Sequence, residues 1–254
     1  MSGYDFIIFI SGAAFGSFFC TLAVRYSRGM FRENPMGALV EPSRCISCGH
    51  RINPVSLIPV LGYLLLLGKC RHCGARISPL YPATEILCGG LSLAITTRYG
   101  MNLYSAHVFL LCCVAVSVSI IDLSLLMIPD SFVIAFLVLS VYPIIQSGSV
   151  RDNLLGLALL AGFFLAVLLI FPGSFGGGDL KFASAIGLLF GLELSIVVLE
   201  TALISGAVTG AAYALISKKG LRTKIPFAPF LAAGIVTAFL WGRDIVLLYY
   251  RVLF

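Results

Sequence analysis

Charge is what this sequence has least of. Only 11% of its 254 residues are Asp, Glu, Lys or Arg, against roughly 25% in a soluble domain, and mean hydropathy is +1.04. That excludes an ordinary soluble domain and indicates a polytopic membrane protein. No G-x-G-x-x-G follows a strand-like run, so no soluble nucleotide-binding domain is expected. The first apolar run lacks a basic leader and an A-x-A site and is followed by basic residues, so it is expected to be a retained span. Acidic residues are scarcer still, 11 against 17 basic ones. Each carboxylate inside an apolar run therefore calls for an explanation, because burying it costs about 2.5–3.5 kcal/mol on insertion scales.

The hydrophobic runs predict an all-α membrane protein of about eight helices, beginning near Phe6, Leu80, Leu103, Ser131, Leu154, Leu180, Leu194 and Phe227. The sixth and seventh lack a clear loop between Leu180 and Ile216, and Glu193 is the natural turning point. Three regions follow: a first transmembrane helix over 1–24, a cytoplasmic zinc-binding loop with an interfacial apolar segment over 25–79, and a seven-helix membrane domain over 80–254.

Basic residues set the orientation, since positive loops stay in the cytoplasm. Arg25, Arg28, Arg32, Arg44, Arg51, Lys69, Arg71 and Arg76 follow the first run, and Lys218, Lys219, Arg222 and Lys224 precede the last. With Lys181, thirteen of the 17 basic residues fall on one side, leaving Arg98, Arg151, Arg243 and Arg251 for the other. The N-terminus is then outside. The net charge of +6 acts as a topology signal with attraction to anionic lipid, and nucleic acid is not an expected partner.

Two aspartates sit where apolar runs stop: Asp122 after Val114 to Ile121, and Asp179 after Gly176-Gly177-Gly178. The helix count places both on the cytoplasmic face, beside the breaks at Ile128-Pro129-Asp130 and Pro172-Gly173. Neighbouring carboxylates sharing one proton supply a base for water and an acid for a carbonyl, the machinery of aspartic peptide hydrolysis. The glycine run would admit an extended substrate and tolerate positive φ. Against this stand plainer roles. Asp179 would serve as N-cap of a helix from Leu180, Asp122 as a boundary residue, and Asp130 as a cap after Pro129. Lys181 either favours an ionised Asp179 or marks the head-group level.

Cys45-Ile46-Ser47-Cys48 and Cys70-Arg71-His72-Cys73 are C-x-x-C pairs 21 residues apart, the pattern of a four-thiolate zinc site. Gly49 and Gly74 follow them and let the backbone turn under a metal. In a reducing cytoplasm zinc is favoured over disulfides, and four protein ligands make the metal structural. Val55 to Leu67 is then expected to lie in the interface or to dip and return, because a crossing would separate the pairs. Cys20, Cys88, Cys112 and Cys113 lie in spans and are expected as small core residues. His50 and His72 suit supporting or solvated roles, and His107 and Glu200 the outer boundary. Glu85, early in the second span, is a candidate for a methyl-transfer or substrate region, or else caps and snorkels.

Ile121-Asp122, Ile128-Pro129-Asp130 and Gly176-Gly177-Gly178-Asp179-Leu180-Lys181 together resemble the prepilin peptidase family of G-x-G-D intramembrane aspartic proteases. Gly16-Ser17-Phe18-Phe19 with Arg25, the cysteine pairs, Tyr81-Pro82 with Glu85, and Ile225 through Gly234 extend that resemblance along nearly the whole chain. The resemblance implies a catalytic dyad of Asp122 and Asp179, supported by Gly176, Gly178 and Lys181. It also implies cleavage of a basic leader from prepilins or pseudopilins, serving pili, type II secretion or DNA uptake, at the bacterial inner membrane. N-methylation of the new N-terminus by S-adenosylmethionine is implied as well. Cys20, Gly62 and Ala228 stand where the family usually has Asn, Ser and Gly. Two rival readings stand beside it: a proton-coupled transporter using the aspartates as relays, and a membrane methyltransferase without protease activity.

Overall fold

A computed structural model describes residues 3–217 and 225–253 and, among them, contains helices and no β-strand. Six of these helices are long and apolar enough to cross a membrane. The chain divides into two compact units, Met1–Thr97 and Arg98–Phe254.

The first unit is built on α1 (Gly3–Ser27) and α5 (Leu80–Tyr99). Small residues let their backbones approach. A Cβ on Gly12 would stand 2.5 Å from the Ser92 Cβ, and one on Gly16 2.7 Å from the Cys88 Cβ. Between them run α2 (Met30–Glu33), α3 (Pro35–Val40), a 3₁₀ turn (Pro54–Leu57) and α4 (Leu61–Leu65). Pro35 starts α3 where a missing N–H does no harm, and Asn34 caps it by accepting from the Gly37 N–H. Arg25 ties α1 to α3, donating to the carbonyls of Ala38 at 2.8 Å and Glu41 at 2.6 Å. The apolar Val55–Leu67 stretch folds as the 3₁₀ turn and α4, and it turns back, as the cysteine pairs require. Its leucines stay outward, Leu65 being 74% and Leu67 84% exposed. Gly62 has no room for a side chain, since a Cβ would lie 2.2 Å from the Ser56 carbonyl oxygen.

The second unit holds α6 (Leu103–Leu125), α7 (Asp130–Ser147), α8 (Val150–Ile170), α9 (Gly177–Ser217) and α10 (Ala228–Leu253). An Asn102–Ser105 capping box starts α6, and Leu126 in a left-handed conformation ends it. Phe136, Phe164, Phe182, Ile186, Leu231 and Ile235 fill the core. Hydroxyls buried in these apolar helices bond back one turn, Ser117 to Cys113 and Ser140 to Phe136, whereas the buried Ser195 Oγ has no partner among the described residues.

The long α9 is two limbs. Gly191 breaks it with φ 72° and ψ −173°, two residues before the expected turning point at Glu193. The first limb runs antiparallel to α8 through Gly156 and Gly187, where either Cβ would fall within 2.4 Å of the opposite carbonyl oxygen. Asp152 accepts from the Leu192 N–H at 3.1 Å and Asn153 donates to the Leu188 carbonyl at 2.6 Å, closing the turn. The second limb returns against α10, with Gly234 on Val198 and Gly206 beside Phe227 and Phe230. Both ends of α9 therefore lie toward the start of α10. The basic stretch of Lys218, Lys219, Arg222 and Lys224 lies outside the described residues.

Gly191→Ala tests this turn. Its backbone lies in a region nearly restricted to glycine, and the new Cβ would meet Asp152 Oδ2 at 1.9 Å. The substitution is expected to destabilise by about 2–4 kcal/mol, read as a lowered unfolding midpoint in detergent. A wild-type midpoint would refute a structural role for the turn.

Candidate active site

Asp122 occupies the last turn of α6 and is only 5% exposed. A carboxylate at a helix C-terminus meets an unfavourable dipole, so it needs donors from elsewhere. Oδ2 accepts from the Ala228 backbone N–H at 3.0 Å, one of the unsatisfied donors at the start of α10. Ala228 is itself fully buried.

Asp179 sits in the first turn of α9, which starts at Gly177 and not at Leu180. It is therefore not the N-cap residue. Its Oδ2 reaches back to the Gly176 N–H at 2.8 Å, the reciprocal half of a capping box. Its Oδ1 is buried and has no hydrogen-bond partner. Capping thus occupies one oxygen of this side chain and leaves the other bare.

The glycine run serves approach, not positive φ. None of Gly176, Gly177 and Gly178 has positive φ, which corrects the expectation of left-handed backbone there. Gly178 packs on the turn between α6 and α7, where a Cβ would come within 3.0 Å of the Ile128 Cβ and 3.2 Å of its carbonyl oxygen. Phe175, just upstream, is held in an aromatic cluster with Phe164 at 5.0 Å and Phe227 at 4.8 Å between centroids. Phe227 precedes the residue that donates to Asp122. One aromatic cluster thus fixes the loop before Asp179 and the helix start that holds Asp122. The Ile225 to Gly234 run signals this cluster only through the family resemblance, because aromatics near a helix start have many ordinary uses.

Lys181 does not bond Asp179. Its Nζ pairs with Asp130 Oδ1 at 2.8 Å, both side chains more than half exposed. Asp130 opens α7 without a side-chain capping bond, so it contributes to the dipole and to this pair. An exposed pair stabilises little, and Lys181→Ala is expected to shift unfolding by less than about 1 kcal/mol. A larger loss would make the pair a structural latch.

In the first unit the four sulfurs of Cys45, Cys48, Cys70 and Cys73 lie within 4.8 Å of one another. Cys45 Sγ and Cys73 Sγ are 3.8 Å apart, far beyond a disulfide and close to the edge of a tetrahedron with Zn–S of about 2.3 Å. Each pair forms the same knuckle. The Gly49 N–H donates to the Cys45 carbonyl and the Gly74 N–H to the Cys70 carbonyl, with φ of 69° and 71° at the glycines. His50 and His72 stack on each other at 4.4 Å and lie outside the sulfur cluster. The donor set and its spacing fit a metal ion. Cys20, Cys88, Cys112 and Cys113 are buried in their helices. Glu85 is 7% exposed and accepts from the Val60 N–H at 2.7 Å.

Comparison with known proteins gives the family. Residues 10–99 match the Bacterial Peptidase A24 N-terminal domain and residues 109–215 the Type IV leader peptidase family. A prepilin leader peptidase/N-methyltransferase of Bacillus subtilis (strain 168) is 34% identical over 96% of this chain and 97% of its own length. Proteins of the same description from Stutzerimonas stutzeri and Pseudomonas putida are 33% and 30% identical over 82% and 80% of this chain, and 74% and 73% of their own lengths. No solved structure matches. With two family models covering its two units and a relative aligned almost end to end, this multi-pass membrane chain belongs to the type IV leader peptidase family.

Proposed function

We propose that Asp122 and Asp179 are the catalytic pair of this aspartic peptidase, and that it removes the basic leader of a prepilin or pseudopilin. The observation that carries the assignment is the bare Asp179 Oδ1, buried and unpartnered, at a loop that the Phe175–Phe227 contact ties to the helix start holding the buried Asp122. Buried polar atoms are nearly always bonded, and an exception beside a like group is what proton-transfer chemistry needs. The two carboxylates hold one proton between them. The ionised member takes a proton from water as its oxygen attacks the scissile carbonyl carbon. The protonated member gives its proton to the carbonyl oxygen, and collapse of the tetrahedral species expels the amine. Gly176 and the start of α10 anchor the other oxygens, so the carboxylates stay oriented through the cycle.

The site lies at the cytoplasmic edge of the inner membrane in this reading, with the N-terminus outside and eight crossings. Six apolar helices, of which α9 reverses at Gly191 to give seven crossings, and the basic residues after α1 support it, with α5 taken as the eighth crossing. A leader rich in positive charge stays in the cytoplasm while its apolar segment spans, so the junction reaches this edge. The regions 1–24, 25–79 and 80–254 serve as anchor, zinc-ordered module and catalytic membrane domain. Zinc is the metal the four thiolates suit, in a structural role. The relatives' names pair the peptidase with N-methyl transfer, and S-adenosylmethionine is the donor we assign.

Purified protein incubated with a synthetic prepilin is expected to release the leader by mass spectrometry, and Asp122→Asn or Asp179→Asn to stop it. Unchanged cleavage by either variant overturns the pair. The transporter reading has no support among the relatives. A methyltransferase without protease activity would leave Asp122 and Asp179 dispensable.

A further inference from the structure

We propose that the first unit binds the methyl donor in a cavity of about 730 Å³, with Glu85 seating its positive centre. The inference rests on the methyl-transfer reading above and names its site. The cavity is walled by α1 at Ser17 and Thr21, by the start of α5 at Tyr81 and Glu85, by the 3₁₀ turn and α4, and by the cysteine knuckles. Its volume falls within the roughly 300–1,000 Å³ typical of small-molecule sites.

Glu85 is what distinguishes it from a surface cleft. The side chain is more than nine-tenths buried, yet no lysine or arginine among the described residues forms an ion pair with it. A carboxylate has about four acceptor positions. The Val60 N–H fills one on Oε2. Val60 itself is held at φ 63° and ψ −51°, a backbone conformation a β-branched residue avoids. The strained turn and the carboxylate therefore stabilise each other at the cavity wall. An uncompensated buried carboxylate favours a cationic ligand.

The rest of the lining suits a cation that also carries a carboxylate and a flat ring. Tyr63 and Tyr81 line the same space, and aromatic faces attract onium centres. Arg28, Arg51 and Arg76 line it without ion-pair partners among the described residues, and guanidinium groups bind carboxylates in bidentate fashion. A sulfonium amino acid joined to a nucleoside has these three parts. Cys45 and Cys70 also line the cavity, so metal loading shapes the wall that the donor meets.

Calorimetric titration of the purified full-length protein with S-adenosylmethionine and with S-adenosylhomocysteine tests the site. The two differ in one methyl group and one positive charge. Glu85→Gln is expected to weaken the sulfonium compound at least about tenfold and the neutral thioether by less than about threefold, as loss of a charge-assisted contact predicts. Thr21→Phe, which narrows the cavity from α1, is expected to weaken both at least about tenfold. Zinc content and unfolding midpoint identify a misfolded variant, and Glu85→Asp is expected to recover part of the sulfonium preference. Wild-type affinity for both compounds in both variants would put the donor elsewhere and leave the methyl-transfer reading standing. Equal weakening of both compounds by a folded Glu85→Gln would remove Glu85 from the positive centre. A wild-type protein that binds neither compound and moves no labelled methyl to processed pilin would remove the reading as well.

Discussion

Asp179→Asn is expected to lower prepilin cleavage by about 10³-fold or more while leaving the fold intact. Asparagine keeps an oxygen that can accept from the Gly176 N–H, so the capping contact survives. What it loses is the ability to take and return a proton at the second oxygen, the one without a partner. Unfolding should shift by no more than about 1 kcal/mol, the scale of one capping contact. Asp122→Asn is expected to behave alike, since its acceptor for the Ala228 N–H is also retained. The double variant should be little worse than either single one, because groups that act as a unit are not additive. Leader release followed by mass spectrometry over a range of enzyme concentrations measures these rates. A single variant that keeps more than a tenth of wild-type cleavage would mean that one carboxylate suffices, and the shared-proton scheme would fail.

Particular residues explain how much of this was legible in the sequence. Most of the apolar helices were, because apolar runs of sufficient length have few other uses; the helix starts at Leu80 and Leu103 agree to the residue, although the helix from Leu80 is not among the six long and apolar enough to span. The reversal inside α9 was legible in length but not in position. Glu193 looked like the turn because charge prefers the boundary, whereas the chain turns at Gly191, where only glycine fits the backbone and Asp152 closes on it. The cysteine cluster was legible because C-x-x-C spacing fixes local geometry. Other features depend on contacts between distant segments, which periodicity does not encode. The Ala228 N–H that holds Asp122 lies 106 residues away, and Lys181 turned to Asp130 and not to its neighbour Asp179. Asp179 reads in the sequence as cap or catalyst, and the capping contact on one oxygen leaves the other free for the proposed chemistry.

The largest stability effect is expected at the cysteines. The module between α1 and α5 has little core of its own: its helices span four to six residues, and Met36, Val40, Ile46, Leu61, Leu64, Leu65 and Leu67 are exposed. Short helices do not stand alone in water, so something else must hold the knuckles together. The thiols themselves resist. Backbone N–H groups of Cys48 and Ser47 draw Cys45 from 9.0 down to about 6, whereas Cys73, despite the Ala75 N–H, is pushed to about 11 by desolvation and the neighbouring sulfurs. Four crowded sulfurs cannot all ionise unless a cation sits among them. A dication resolves the conflict, and structural zinc contributes about 10–16 kcal/mol of apparent binding energy in small domains. Cys70→Ser or prolonged chelation is therefore expected to remove the metal, unfold the module and expose Val55–Leu67 to limited proteolysis, with the metal measured by plasma mass spectrometry. The pH dependence has a definite sign. Cys45 is bound as thiolate and its folded value lies below its ordinary one, so its contribution is complete above about 9 and is lost as pH falls through about 6. Metal release should accordingly accompany acidification and not alkalinisation. If the Cys70→Ser protein kept a full zinc equivalent and a protease-resistant module, the four sulfurs would not be what holds this part of the chain together.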